Sequence, residues 1–232
     1  MSTRAAKRGT SAEAGSLESK RSKPDNENVP WYNVFTKGDP EYNDYMANEW
    51  GFEKHGTIPL FEKICLEGAQ SGLSWRTILL KRAAYRRTFH GFDPERVAQM
   101  TPHDVDAIVA QQAENPKDII VRHRGKVEAV IGNAKSLLAM DEDLDQFLWG
   151  FVDGKPILNR WNGSMADAAT KSPESEAMSK GLKKRGFRFV GPTTCYALMQ
   201  SVGMVIDHPK DSPEWVEAKE RLEAREGGYQ ER

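Results

Sequence analysis

Cysteine is nearly absent: Cys65 and Cys195 are the only two in 232 residues, each inside an apolar run and neither in a Cys-x-x-Cys spacing. That argues against a disulfide framework and fits a reducing compartment. No uninterrupted apolar stretch reaches the ~18 residues that suggest a membrane span, so the chain reads as soluble, with no membrane partner. An excess of one charge is missing too. The 33 Lys and Arg stand against 34 Asp and Glu, for a formal net charge of -1, so a polyanionic partner has to be met by local clusters. Alternating strand patterns are scarce: Phe187, Arg188, Phe189 and Val190 form the one convincing example, too brief for a sheet. There is no repeat of solenoid length.

With 38% hydrophobic residues, the chain can form one globular domain with a sizeable core. Residues 1–28 have no large apolar residue beyond Met1 and Leu17, and a segment of that kind is expected to be disordered. Their basic clusters, Lys7-Arg8 and Lys20-Arg21 with Lys23, fit a solvated tail better than a nuclear address or a DNA tether, and the apolar core of a secretory signal is missing. From Trp31 onward, apolar residues recur three and four apart in stretches starting near Ile58, Thr77, Val105, Arg124, Leu144, Ser175, Thr193 and Pro213. Thr101-Pro102 and Ser172-Pro173-Glu174 each read as an N-cap followed by proline at the first helical position. The expected fold is therefore all-α, with a helical domain over residues 29–222 and a disordered C-terminal tail over residues 223–232.

Three stretches carry chemistry. In the first, Lys183, Lys184 and Arg185 lead through Gly186 to Gly191, Pro192 and Thr193, where a second apolar helix departs. Backbone N–H groups and the positive end of that helix would converge on one point, which suits a phosphate, and a glycine lets a DNA strand approach the backbone. A plain connection between helices would also look like this. In the second, Arg122, His123, Arg124 and Lys126 crowd the entrance of an amphipathic helix, fitting either a phosphate-facing end or a solvated turn. By residue type alone His123 is an ordinary capping or core histidine.

The third stretch sets Tyr42, Tyr45 and Trp50 before a helix that carries Glu67, followed by Leu73 and Trp75. Glu67 follows the apolar run Ile64-Cys65-Leu66, where an ionised carboxylate is costly to bury without a partner. A cationic base would be such a partner, and aromatic faces attract cations and stack on flipped bases. The residues by themselves nevertheless favour the plainer arrangement, with the aromatics in the core and Glu67 on the wet edge of a helix.

Taken together and in order, these pieces resemble the 3-methyladenine DNA glycosylase I family, of the helix-hairpin-helix glycosylase superfamily. The matching segments are Asp39-Pro40-Glu41-Tyr42, Asn48-Glu49-Trp50-Gly51, the run from Leu60 to Gly68, Gly72-Leu73-Ser74-Trp75, Arg122-His123-Arg124-Gly125-Lys126, Phe147-Leu148-Trp149 and Lys183-Lys184-Arg185-Gly186-Phe187. The resemblance spans Trp31 to His208 and reverses the plainer reading of Glu67. It implies a helix-hairpin-helix fold, excision of 3-methyladenine from alkylated double-stranded DNA, no cofactor, and a cytoplasmic or nuclear monomer. Glu67 would be the catalytic-site carboxylate reading the base edge, with Tyr42, Tyr45, Trp50 and Trp75 lining the base pocket and Leu73 wedging into the duplex. Arg122, Arg124, Lys126, Lys183, Lys184, Arg185, Gly191 and Thr193 would contact DNA.

One departure stands out. The family typically carries a structural zinc held by two Cys and two His, but here no Cys precedes Asp39, Met46-Ala47 occupy the usual histidine position, and only His208 remains near the end. Four ligands cannot be assembled, so no metal is expected; packing of Trp31, Met46, Val205 and Trp215 is expected to join the ends of the domain. The hairpin turn offers Pro192 rather than a lysine, so a monofunctional enzyme without a lyase step is expected. A damage-binding module that no longer cleaves is the alternative reading.

Overall fold

The computed structural model describes residues 29–232, and the tail expected over residues 1–28 lies outside the described residues. In chain order the helices are α1 (Asn33–Thr36), α2 (Pro40–Asn48), α3 (Thr57–Gln70), α4 (Trp75–Leu79), α5 (Arg82–Thr88), α6 (Pro94–Ala98), α7 (Pro102–Ala110), α8 (Arg124–Leu138), α9 (Leu144–Trp149), α10 (Pro173–Lys184), α11 (Pro192–Ser201) and α12 (Pro213–Glu223). The starts agree with the caps read from sequence. Thr101 and Ser172 both form capping boxes, each with proline in the first turn.

Helix α3 is the axis of the domain. Leu60, Phe61, Ile64 and Leu66 are fully or almost fully buried, each contributing ~1.5–3 kcal/mol of apolar burial. A helix covered on all sides has to lie inside, and α4, α8, α9 and α11 pack around this one. Helices α10 and α11 form a hairpin whose turn presses onto α3: a Cβ on Gly68 would come within 3.1 Å of the Phe189 Cβ. Residues 187–190 are thus the hairpin turn and not the strand their pattern suggested, and Phe189 sits at φ 56°.

A small sheet went unread in the sequence. Strand β1 (Ile157–Leu158) lies between β2 (Val205–Ile206) and β3 (Gln230–Glu231), all parallel, with Ile157 opposite Val205 and Gln230. Strands of two residues are too short to leave an alternating pattern. Strand β3 also corrects the expectation of a disordered tail over residues 223–232. The Arg225 guanidinium donates to Glu53 Oε1 (2.8 Å) and to the carbonyls of Gly228 and Gly154 (3.1 Å each), and Gln230 donates to the Val152 carbonyl (2.9 Å). Hydropathy does not register a segment held by polar side chains on backbone acceptors.

Near the domain ends, the Trp31 indole N–H donates to His208 Nδ1 (3.2 Å), and Trp50 and Trp161 pack against Trp31. Met46 and Val205 belong to the main core against which Trp31 packs. Trp215, expected in the same cluster, sits instead in a smaller one with Leu158, Ile206, Ala218 and Leu222. The zinc of the resembling family does not fit this corner: His208 already accepts the Trp31 indole hydrogen, and the described residues contain no group of three or more His, Cys, Asp and Glu able to hold a metal.

Burial, reinforced by Arg221, holds the His208 imidazole down at about 4. A histidine with a depressed folded value contributes stability that is fully present above its unfolded value near 6.5 and is lost as pH falls toward about 4. The loss is on the order of 3 kcal/mol. Asparagine at this position keeps an acceptor for Trp31 without a titrating ring. His208→Asn is therefore expected to flatten the acid side of a melting-temperature profile, and a variant profile as steep as the wild type contradicts this.

Candidate active site

Asp39 caps α2 by accepting the Tyr42 backbone N–H (2.9 Å), and the same carboxylate accepts Arg76 Nε of α4 (2.7 Å). Helix α2 is fastened a second time where Arg82 of α5 donates to Glu49 (2.7 Å). These clamps bring the Tyr45 and Trp75 rings to 5.2 Å, with Tyr42 beside Tyr45 at 6.4 Å. Trp50 reaches the same space from the turn after α2, where backbone bonds from Gly51 to the Gln200 carbonyl and from Lys54 to the Val202 carbonyl (3.1 Å each) tie that turn to the end of α11. Gly203 makes the approach possible, because at its φ of +74° a Cβ would lie 2.5 Å from the backbone of Phe52 and Glu53.

The five pocket residues expected from sequence, Tyr42, Tyr45, Trp50, Glu67 and Trp75, line one cavity of about 570 Å³. Glu67 is 5% exposed, so the wet-edge alternative fails. Burial pushes its carboxyl above the usual range, and Lys63 opposes that shift. Burial, with the Glu67 charge, raises the Tyr42 hydroxyl to about 12, so it stays protonated and able to donate.

The opposite wall was not read from the sequence. It is formed by Asn159, Trp161, Tyr196, Gln200 and Asp207 among others. Asp207 is buried and accepts from Asn159 Nδ2 (2.6 Å), Tyr196 Oη (2.7 Å) and Gln200 Nε2 (2.7 Å). Its partners lie on two segments, the residue after β1 and successive turns of α11, and no local motif marks it.

Leu73 stands in the short loop between α3 and α4, 40% exposed, with Gly72 at φ +75°. The loop is held by Lys126, whose ammonium donates to the carbonyls of Ala69 (2.8 Å) and Ser71 (2.6 Å). Sequence reading set Lys126 among the DNA contacts; in the structure carbonyls left over at the end of α3 draw its ammonium inward. His123 caps α8, its Nδ1 accepting the Lys126 backbone N–H (3.3 Å). Arg122 is exposed and donates to the Gln111 carbonyl (2.7 Å), while Arg124 pairs with Asp106.

Lys183 and Lys184 are exposed at the end of α10, and Thr193 is exposed in the first turn of α11. A Cβ on Gly191 would meet nothing within 4 Å, so the backbone there lies open to an approaching strand. Arg185, expected among the DNA contacts, is stacked on Phe147 (4.0 Å to the ring centroid) and paired with Glu142. Asn133 of α8 holds the hairpin turn by accepting the Arg188 backbone N–H (2.8 Å) and donating to the Arg188 carbonyl (3.2 Å).

Comparison with known proteins places this arrangement. The family described as methyladenine glycosylase matches residues 35–215. The DNA-3-methyladenine glycosylase of Haemophilus influenzae is 49% identical over 175 residues, covering 74% of this chain and 91% of that protein. DNA-3-methyladenine glycosylase 1 of Escherichia coli is 46% identical over 173 residues, covering 73% of this chain and 89% of that protein. A crystal structure of a 3-methyladenine DNA glycosylase I has a TM-score of 0.70 at 46% identity, over 76% of this chain and 94% of that one. Another, a substituted form in complex with 3-methyladenine, has a TM-score of 0.70 at 36% identity, over 76% of this chain and 92% of that one.

The two kinds of lysine separate in a salt titration of DNA binding. Each lost phosphate contact lowers the slope of log affinity against log salt by about 0.9. Lys184→Gln is expected to reduce the slope by about that amount, and Lys126→Met to weaken binding by loosening the Leu73 loop while leaving the slope unchanged. A slope lowered by Lys126→Met would restore it to the phosphate contacts.

Proposed function

The chain belongs to the methyladenine glycosylase family, and on that premise we propose how its own residues release 3-methyladenine from DNA. It is a DNA glycosylase, an enzyme that hydrolyses N-glycosyl bonds. The substrate is alkylated double-stranded DNA, met by the open backbone at Gly191 and Thr193 and by Lys183 and Lys184, with Arg122 and Arg124 at the start of α8. Leu73 fills the stack that the flipped nucleotide leaves. The base enters the cavity against Tyr42, Tyr45, Trp50 and Trp75, and Glu67 accepts from its edge.

Methylation at N3 leaves adenine positively charged and weakens its bond to the sugar, so less of the barrier falls to the protein. When the N-glycosidic bond breaks, its electron pair stays with the base, which departs neutral. Water bonds to the sugar carbon and gives up a proton. Glu67 and the rings hold the base in line for departure, and holding the reacting groups in place is a large part of such a rate enhancement. The hairpin carries Pro192 at the start of α11, which supports hydrolysis without a covalent amine step. A monomer is sufficient, because every proposed contact comes from one chain.

The observation that carries this reading is a buried carboxylate, 5% exposed, in a cavity walled by aromatic rings. The test is release of free 3-methyladenine from methylated duplex DNA by the purified protein and by Glu67→Gln. The wild type is expected to release the base, and the substitution to slow release by on the order of 100-fold, the scale for losing one preorganised polar contact. Tight DNA binding with no released base, or an unimpaired Glu67→Gln, overturns the reading.

A further inference from the structure

Inside α3, one turn before Glu67 and on the same face, lies a second charged residue that the reaction as described does not use. Lys63 is 4% exposed. Its Nζ donates to Tyr45 Oη (3.2 Å) and sits 4.7 Å from the Tyr45 ring centroid and 5.1 Å from that of Trp75. It is behind these rings and does not line the cavity. Any influence on the base therefore passes through Glu67, Tyr45 and Trp75.

We propose that Lys63 is a positioning residue for base recognition: from behind the aromatic wall it fixes the Tyr45 hydroxyl and places a positive charge one helical turn from Glu67. The inference rests on the reading of Glu67 as the group that meets the base edge. A lysine stem can be buried at little cost, but an ammonium cannot unless the surrounding field is negative. The groups that set this field are few. Glu67 on α3 and Glu49 at the C-terminal cap of α2 attract the ammonium, while Lys54 after α2 and Arg82 on α5 repel it. Glu49 already accepts from Arg82, which leaves Glu67 as the main counter-charge and the first among the groups that keep Lys63 protonated. In return Lys63 is the first among the groups that keep Glu67 ionised against its burial, ahead of the Ser201 hydroxyl.

The arrangement has a function that packing alone does not explain. A neutral carboxylic acid in the cavity would place a hydrogen on one of its oxygens and lose part of its capacity to accept from the exocyclic amino group of adenine. Lys63 works against the burial that favours the neutral acid, and so favours the charged acceptor. The same ammonium fixes the Tyr45 hydroxyl, so one buried cation orients both a polar and an aromatic part of the wall.

The experiment follows binding of free 3-methyladenine by tryptophan fluorescence between about pH 5.5 and 9.5, bracketing titration of a buried carboxyl. It uses the full chain as wild type, Lys63→Met, Glu67→Gln and the double variant, each checked for folding by thermal melting. The ligand's own titration is common to all four and cancels between them. Wild-type affinity is expected to fall as acid protonates Glu67. In Lys63→Met the fall should begin at least about one pH unit higher, costing about tenfold in affinity at neutral pH, with recovery in alkali. In the Glu67→Gln background the same substitution should cost less than about twofold, since no acid remains to be held ionised. A crossover that does not move, or an equal loss in both backgrounds at every pH, overturns the proposal. Should Lys63→Met not fold, Lys63→Gln keeps a donor for Tyr45 without the charge and should show the same shift; a wild-type pH profile in that variant also overturns it. A wild type that binds no 3-methyladenine at any pH removes the premise about Glu67 instead, while release of the base with an unshifted Lys63 profile removes only the role of Lys63.

Discussion

An ionised carboxylate withdrawn from water loses several kcal/mol of hydration unless charge and hydrogen bonds replace it. Helix α3 carries that burden at Glu67, in the buried stretch from Lys63 to Ala69. Burial favours the neutral acid, and the nearest countervailing cation is Lys63, itself enclosed. Their one-turn spacing sets two enclosed groups of opposite charge on one face of the helix, and Tyr45 meets the Lys63 ammonium there.

The clamps outside the cavity serve the same end. Asp39 on Arg76 and Glu49 on Arg82 are partly exposed pairs, of the kind that contributes ~1 kcal/mol or less to stability. Their value is geometric: the first fixes α2, with Tyr42 and Tyr45, against α4, with Trp75, and the second ties the end of α2 to α5. On the far side, Asn133 and Gly68 let the α10–α11 hairpin settle on α3, so the hairpin and the Glu67 cavity rest on one helix.

What the sequence disclosed follows from the range of the interactions involved. Helix starts at Thr101 and Ser172 were legible because a cap and its proline are neighbours in the chain. The five residues named from sequence line one cavity, but only the ordered resemblance chose an enclosed Glu67 over an exposed one; residue type alone pointed the other way. Asp207 was invisible because its three donors come from β1's flank and from two turns of α11. The partners of Lys126 and Arg185 were hidden for another reason. Clustered basic residues look alike in sequence, whereas the carbonyls of Ala69 and Ser71 and the ring of Phe147 that occupy these two appear only once the helices are packed. The last strand escaped because its anchor, Arg225, satisfies backbone groups and not an apolar face.

The pairing of Glu67 with Lys63 also bears on how tightly this cavity should hold its ligand. The methylated base is cationic while bonded to the sugar and neutral once released, and in between the positive charge passes to the sugar. A lone buried carboxylate would attract the base most strongly at the start, deepening the ground state that has to be left. A carboxylate whose charge is balanced by an ammonium behind the rings presents the same directional acceptor with little net field on the base. Recognition then rests on the shape of the aromatic wall and on hydrogen bonds, both of which the departing neutral base retains, while the charge can move to the sugar without being pulled back.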